Sequence, residues 1–324
     1  MNRILELMKK GYFVQDPQIL SLLNDEEFER FLFFLPKSNE PKILKKEDVI
    51  TFLQKISKKI SIRILEPQIK QKISNLDLLN ILRERYNFLS SIIKKKLLFF
   101  NLISINKISK KYRTFSLIGM VYEIDGKKIT IDDLSSKIDI WIEDEEKLKL
   151  IEEDCVIGVK CYWKDDEIYA NEVIFPEFEE KNNLEEIKEL RIGIFNRDIN
   201  TDADVIIQLD RETKISKNKL YVNSSFPVHQ IYVNNSLILL VDLRHVNFSI
   251  EKFLKLRLVT SKLSKILDFG GDFFLIKDKP SLIITLNSDR EEINKINDIF
   301  LISLANSLEN NYLIDLKEEI FIKI

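Results

Sequence analysis

The chain has 324 residues, and its 50 Lys and Arg against 52 Asp and Glu give a formal net charge of −2 at neutral pH. A hydrophobic content of 45% with 21 Phe residues is ample for packed cores, and the length favours two or three domains. No apolar run approaches the roughly 20 residues that span a bilayer. The N-terminus has no signal-peptide pattern, so we expect a cytoplasmic protein with no membrane partner.

Residues 1–66 are predicted to form an N-terminal helical bundle, because four amphipathic segments follow one another. The stripe of Phe and Leu side chains on these segments is interpreted as core. Residues 67–107 are predicted to be a linker at Pro67 followed by one long helix over 74–96. The helices of the bundle are expected over 4–14, from Asp16-Pro17 to 24, over 25–35 ending before Pro36, and over 46–56, with a short strand at 61–65.

Residues 108–178 are predicted to form an oligonucleotide-binding (OB) type β-barrel. The pattern is five short strands with one helix, over 145–154, between the third and fourth strands. Gly119 lies inside the first strand, where we expect a bulge that curls the strand into a barrel. Asp125-Gly126 is typical of a hairpin turn. Such barrels bind single-stranded nucleic acid in many proteins.

The charge along the chain argues against that activity for this barrel. Residues 114–180 hold 7 Lys and 19 Asp and Glu, a balance of −12, whereas residues 1–113 hold 23 basic and 12 acidic residues, a balance of +11. A groove that follows a phosphate backbone needs positive potential. The barrel is therefore predicted to contact protein, and any DNA contact, weak or indirect, is expected from the basic helical part.

Residues 186–324 are predicted to be a β-rich, sheet-on-sheet domain, so the whole chain is expected to be multidomain α+β. The one clear helix of this domain is predicted over 248–267. The strand-like blocks lie at 190–195, 204–210, 219–223, 230–234, 237–243, 272–278, 282–286, 298–305, 311–316 and 319–324.

The residues that could carry chemistry form no catalytic, cofactor or metal site. His229 and His245 have no third histidine to complete a metal set. Cys155 and Cys161 lie about 20 Å apart on one predicted strand, too far for a disulfide, and are expected to be buried free thiols. Gly270-Gly271-Asp272 is interpreted as a helix stop plus turn. The acidic group interpreted as strand-end and turn residues comprises Asp198, Asp202, Asp204 and Asp210.

Four strings in the middle of the chain resemble the small subunit of archaeal D-family DNA polymerase and the accessory B subunits of eukaryotic replicative polymerases. They are RERYNFLSSII (83–93), SLIGMVYEI (116–124), DCVIGVK (154–160) and IFPE (174–177). The resemblance implies an OB barrel followed by a calcineurin-like phosphoesterase domain. In many archaeal members that domain is a proofreading exonuclease.

The chain departs from the family at each aligned metal position. The resemblance places Arg197 and Ile199 where the family has Asp-x-His, and Asp242 where it has a metal-binding His. The closing G-H-x-H motif falls on Ser303, Leu304, Ala305 and Asn306, and the motifs between are absent or reduced to the stretch around Asp210. The resemblance therefore implies an inactivated domain in a non-catalytic accessory subunit that binds the catalytic polymerase subunit.

Two alternatives stay open. The chain could be a metal-dependent 3′–5′ exonuclease subunit with rearranged Asp ligands, or a stand-alone single-stranded-DNA-binding protein that uses the barrel. The shortage of His and Gly counts against the first alternative, and the acidic barrel counts against the second.

Overall fold

The computed structural model of the chain is a mixed α+β protein, which confirms the α+β character expected from the sequence. It describes residues 3–35, 40–57, 60–65, 72–97, 101–179, 185–196, 201, 203–210, 213–216, 219–307 and 309–324. The predicted linker at Pro67 lies outside these residues. The chain divides into two compact units, of which the first comprises residues 1–63, 185–223 and 307–324 and the second residues 64–184 and 224–306.

The helices are mostly short, apart from one that crosses the second unit. Among the described residues, two 3₁₀ helices, Pro17–Leu22 and Ile105–Lys107, accompany the α-helices. The α-helices are α1 (Arg3–Lys9), α2 (Asp25–Phe34), α3 (Lys46–Ser57), α4 (Asn75–Lys96), α5 (Glu145–Leu148), α6 (Glu185–Lys188), α7 (Ile250–Leu256) and α8 (Leu263–Phe269).

The strands build a small parallel pair, a closed barrel and two six-stranded sheets. They are β1 (Tyr12–Val14), β2 (Lys42–Leu44), β3 (Ile62–Leu65), β4 (Thr114–Asp125), β5 (Lys128–Asp132), β6 (Lys137–Ile142), β7 (Val156–Lys164), β8 (Glu167–Ile174), β9 (Arg191–Phe195), β10 (Val205–Asp210), β11 (Lys214–Ser216), β12 (Lys219–Asn223), β13 (Val228–Val233), β14 (Ser236–Asp242), β15 (Leu282–Leu286), β16 (Glu292–Ile296), β17 (Ile299–Leu304), β18 (Tyr312–Asp315) and β19 (Ile320–Lys323).

The N-terminal part of the first unit packs α1, α2, α3 and a 3₁₀ helix around a core of Phe and Leu side chains that includes Phe31 and Phe52. The prediction that this stripe of Phe and Leu side chains forms a core is confirmed. The helix expected over 4–14 was too long. It ends at Lys9, because Gly11 adopts φ +86° and turns the chain into β1, which pairs in parallel with β2.

The other part of the first unit is a sheet with the strand order β11-β12-β10-β9-β18-β19. Its centre is held by polar side chains as well as by apolar packing. Arg191 Nε donates to Asp315 Oδ2 over 2.9 Å, and the backbone N–H of Arg191 donates to Asp204 Oδ2 over 2.7 Å. Asp204 is therefore a structural residue, because its carboxylate binds the first backbone N–H of β9.

The barrel of the second unit is closed, in the order β4-β5-β6-β8-β7, and α5 lies between its third and fourth strands. The predicted five strands are confirmed, and the helix expected over 145–154 was too long, because it ends at Leu148. The bulge expected at Gly119 was misplaced, because the register shifts between Val121 and Glu123. A Cβ at Gly119 would lie 2.9 Å from the Cβ of Ile131, so Gly119 allows β4 and β5 to approach closely.

Helix α4 connects the barrel to the rest of the second unit through two neighbouring residues. The side chain of Arg85 is fully buried and forms a two-point ion pair with Asp272, with Nε–Oδ2 and Nη2–Oδ1 distances of 3.0 and 2.9 Å. Its Nη1 donates to the carbonyl of Ser261 over 2.8 Å. The hydroxyl of Tyr86 donates to the carbonyl of Ile118 in the barrel over 3.2 Å. Two consecutive residues of α4 therefore bind the barrel on one side and the segment with Ser261 and Asp272 on the other.

The second sheet has the order β16-β17-β15-β14-β13-β3, and β14, β15 and β17 run parallel. The helix expected over 248–267 is two helices, α7 and α8, because Arg257 adopts φ +56° and ends α7. The strand expected over 272–278 is irregular backbone instead. It hydrogen-bonds to the segment between α7 and α8, because Val259 N–H donates to the carbonyl of Phe274 and Ile276 N–H donates to the carbonyl of Arg257.

The remaining observations concern termini of elements and thiols. Gly270 ends α8 with φ +72°, as the predicted helix stop requires. Cys155 and Cys161 are buried and free, which confirms their interpretation. Among the described helices, none combines the length and the apolar character needed to cross a bilayer.

Candidate functional site

The carboxyl ends of three parallel strands meet at one edge of the second sheet. Asp242 is the last residue of β14 and pairs with Leu286, the last residue of β15, which in turn pairs with Leu304 of β17. Asn287 follows β15 directly. Ligands of open α/β sheets bind outside the carboxyl ends of parallel strands, so this edge is the place to look for a site.

Asp242 is almost completely buried at this edge, with 4% of its surface exposed. Its carboxylate accepts hydrogen bonds from Arg244 Nε at 3.1 and 3.0 Å to the two oxygens, and from the backbone N–H of Arg244 at 3.0 Å. Asn287 Nδ2 donates to Oδ1 over 3.0 Å. The carboxylate is thus held in its charged form by an arginine only two residues away.

Burial by itself would raise the pKa of Asp242. The hydrogen bonds from the side chain and backbone of Arg244 and from Asn287 outweigh it and hold the pKa below its ordinary value. The guanidinium therefore lies where a cation would have to approach this carboxylate. A metal ion could use Asp242 only by displacing Arg244, whose Nη2 also donates to the carbonyl of Ser224 over 3.0 Å.

The other positions that the sequence aligned with metal ligands do not complete a site. Leu304 is buried and apolar, and Asn306 follows β17 in a left-handed conformation with φ +47°. Asp210 ends β10 in the first unit. In the part of the chain that the structure describes, no three His, Cys, Asp or Glu side chains lie together as a metal site requires. Arg197, Asp198, Ile199 and Asp202 lie outside the described residues.

The two histidines occupy different environments. His229 belongs to β13 and is 4% exposed, and its ring lies 6.3 Å from that of Phe226. His245 is partly exposed in the loop after β14, and its ring meets the ring of Phe269 edge-on at 5.5 Å.

The barrel carries a second feature, a row of aromatic side chains across three neighbouring strands. Tyr162, Tyr169 and Trp141 are register partners on β7, β8 and β6. The ring centroids of Tyr162 and Tyr169 are 5.9 Å apart, and those of Tyr169 and Trp141 are 6.2 Å apart with nearly parallel planes. Lys164 lies 5.1 Å from the ring of Tyr169. Stacked aromatic rings beside a cation can bind unpaired bases.

Acidic groups lie beside this row. The hydroxyl of Tyr162 donates to Glu143 over 2.8 Å, and Lys128, the register partner of Trp141, pairs with Asp139 at 2.7 Å. Next to the row, a cleft of about 490 Å³ opens where β6 and β8 stop pairing, and Trp163 lines it. Cations on this face are therefore partly neutralised before any ligand approaches.

Sequence reasoning missed the role of Arg244 and the aromatic row. The spacing Asp242-Leu243-Arg244 at a strand end was a usable signal, because a carboxylate and a guanidinium two residues apart can pair across a tight turn. The aromatic row was not visible in the sequence, since Tyr162, Tyr169 and Trp141 become neighbours only through strand pairing.

Comparisons with known proteins add little to this picture. No family model matches the chain, and no curated protein matches it. A solved structure of the S. pombe Stn1-Ten1 complex is similar at 16% identity over 28% of this chain and 85% of that chain, with a TM-score of 0.19. A score this low supports no inference about function.

Proposed function

We propose that the protein is a non-catalytic accessory subunit of a replicative DNA polymerase that binds the catalytic subunit as a scaffold. The barrel is assigned to the OB type on its five-strand order, and the β-rich part to an inactivated calcineurin-like phosphoesterase domain. The observation that carries the loss of catalysis is the ion pair of Asp242 with Arg244. A carboxylate that an internal guanidinium already neutralises is a poor ligand for a catalytic cation.

The scaffold role is supported by buried cations that tie separate segments together. Arg85 connects α4 to Asp272, and Arg257 is 3% exposed and donates to the carbonyls of Pro176 and Lys277 over 2.6 and 2.7 Å. The guanidinium of Arg257 also lies 4.3 Å from the ring of Phe178. The exit of the barrel is thereby fixed to the segment after α8, and a rigid surface is what a scaffold must offer a partner.

A nuclease assay tests the loss of catalysis. The purified chain is incubated with labelled single-stranded DNA and excess Mn²⁺, beside the Asp242→Ala and Asp210→Ala variants. We expect no degradation by any of the three proteins. Degradation by the wild-type chain that persists through further purification and disappears in either variant would instead support the exonuclease alternative.

A second function, binding of single-stranded nucleic acid, is favoured by one observation, the aromatic row of Tyr162, Tyr169 and Trp141. The 19 acidic residues of the barrel region act against it. Titration of the full chain with oligo-dT decides between the two. Negligible binding at physiological salt supports the accessory role of the barrel. Binding that falls steeply with salt and is lost in Trp141→Ala, but not in the exposed control Tyr122→Ala, supports the second function.

A further inference from the structure

A pocket of about 640 Å³ lies beside the Asp242–Arg244 pair, entirely within the second unit. Its walls come from the loop after β14, the residues after β15 and the segment that leads into α8. This volume is in the range of small-molecule sites. Its charged and ionisable lining residues are Glu152, Arg244, His245, Lys262, Lys265 and Asp289.

The charges that line the pocket favour an anion. Arg244, Lys262 and Lys265 supply three cations. Of the two lining carboxylates, Glu152 is already bound, because it pairs with Lys252 at 2.6 Å and accepts from the hydroxyl of Ser261 at 3.0 Å. Asp289 is the other. Asp242 neutralises Arg244 and Lys252 neutralises Glu152, so Lys262 and Lys265 supply the positive charge of the lining against the single carboxylate of Asp289.

Arg244 and Lys262 keep N–H donors that are available to a ligand. Arg244 directs Nε and Nη2 at Asp242 and Ser224, and its Nη1 has no hydrogen-bond partner among the described residues. The ammonium group of Lys262 has no ion-pair partner in the described part of the chain. Lys265 makes one exposed contact with Asp268 at 3.7 Å, which is a weak interaction.

His245 adds a polar atom that lacks a partner. Its Nε2 is shielded from solvent and forms no hydrogen bond with any described residue. A ligand in the pocket reaches this nitrogen only after the imidazole ring turns, and a ligand oxygen would then supply the hydrogen-bond partner that Nε2 lacks. A phosphate group offers several strong acceptor oxygens, and lysine, arginine and imidazole N–H groups are its usual donors.

We propose that this pocket binds a phosphate monoester, either a free nucleotide or the 5′-phosphate end of a nucleic-acid strand, without a metal ion. The inference goes beyond the proposed accessory role, and it does not require that role, because it rests on the lining residues of the pocket alone. Lys262 and Lys265 contact the phosphate oxygens, Arg244 contributes Nη1, and His245 contributes Nε2.

The test uses the full chain in the presence of EDTA, so that nuclease or metal chemistry does not enter. Binding of a deoxynucleoside monophosphate, a 5′-phosphorylated oligonucleotide and the same oligonucleotide with a 5′-hydroxyl is measured by calorimetry. We expect the monophosphate or the phosphorylated strand to bind, and the tighter of the two identifies the source of the phosphate. The 5′-hydroxyl strand is expected to bind at least about tenfold more weakly than the phosphorylated one, since one charge-assisted contact is worth that factor.

Variants locate the binding. Lys262→Ala and Lys265→Ala are each expected to weaken phosphate binding about tenfold, whereas Lys149→Ala, an exposed lysine of the same unit paired with Glu146, should leave it unchanged. An NMR shift of the His245 imidazole on titration is expected in the wild-type chain. Equal affinity for phosphorylated and 5′-hydroxyl strands, no binding of either phosphate ligand, or undiminished binding in the two pocket variants would overturn the proposal.

Discussion

Removal of the buried guanidinium of Arg85 is predicted to destabilise the second unit strongly. Arg85→Ala deletes two charge-assisted hydrogen bonds to Asp272 and one to the carbonyl of Ser261. It also leaves the carboxylate of Asp272, whose side chain is 13% exposed, without its cation. Breaking a buried pair from one side costs about 3–5 kcal/mol. Asp272 keeps the backbone N–H of Phe274 as a donor at 3.1 Å, which favours the lower half of that range.

The fluorescence of tryptophan gives a direct measurement, because both Trp residues of the chain, Trp141 and Trp163, lie on barrel strands of the second unit. Urea unfolding should show a loss of about 3–4 kcal/mol for Arg85→Ala. Arg85→Lys should lose about 2 kcal/mol, since an ammonium group cannot form the two-point contact.

A surface ion pair provides the matched control. Lys110 and Asp166 are 69% and 81% exposed, so Lys110→Ala should change the unfolding free energy by less than about 0.5 kcal/mol. If Arg85→Ala proved as stable as Lys110→Ala, or if Arg85→Lys matched the wild type, the contacts of Arg85 with Asp272 and Ser261 would not stabilise the second unit as the geometry indicates.

Three further predictions follow from packing and ionisation. Gly158→Ala should lower the unfolding free energy by about 1–3 kcal/mol, because its Cβ would lie 2.5 Å from Ile93 Cγ2. The double variant with Ile93→Ala should lose less unfolding free energy than the two single variants together. Simple additivity would contradict the contact. Burial raises the pKa of Cys155 to about 12 and also raises the pKa of Cys161. Neither thiol should therefore react with Ellman's reagent until the chain is unfolded. Rapid reaction of the native protein would refute this. The folded-state pKa of Asp242 lies below its unfolded value, so the stabilisation is present above about pH 4 and is lost as the pH falls. The stability difference between the wild type and Asp242→Asn should therefore shrink in acid, and a difference independent of pH would show that the ion pair is not its source.

The barrel was predictable from the sequence, because strands such as β5 and β6 alternate apolar and polar residues and Asp125-Gly126 marks the hairpin between β4 and β5. The broken helix was not. Residues 248–267 keep a helical apolar pattern, whereas α7 ends at the left-handed Arg257, and the backbone of Arg257 and Val259 pairs with that of Ile276 and Phe274. Strand β16 was missed because Glu292–Ile296 is mostly exposed and polar, so that strand pairing rather than burial forms it.

At the candidate site, the sequence could identify Asp242 and, from the spacing alone, its partner Arg244, but not Asn287. The loop that brings Arg244 onto Asp242 is short and could be inferred locally. The approach of Asn287, 45 residues further along the chain, depends on the parallel pairing of β14 with β15. Contacts of this kind belong to the tertiary fold and leave no local pattern.

Native co-purification with identification and assay of the associated chains tests the central claim most directly. The full-length protein is tagged in its own cells, isolated at physiological salt, and the stoichiometric partners are identified and assayed for primer extension. We expect a catalytic DNA polymerase subunit at an equal molar amount, with polymerase activity in the isolated complex. Recovery of the protein without a polymerase subunit, or with polymerase only at traces that salt removes, would contradict it.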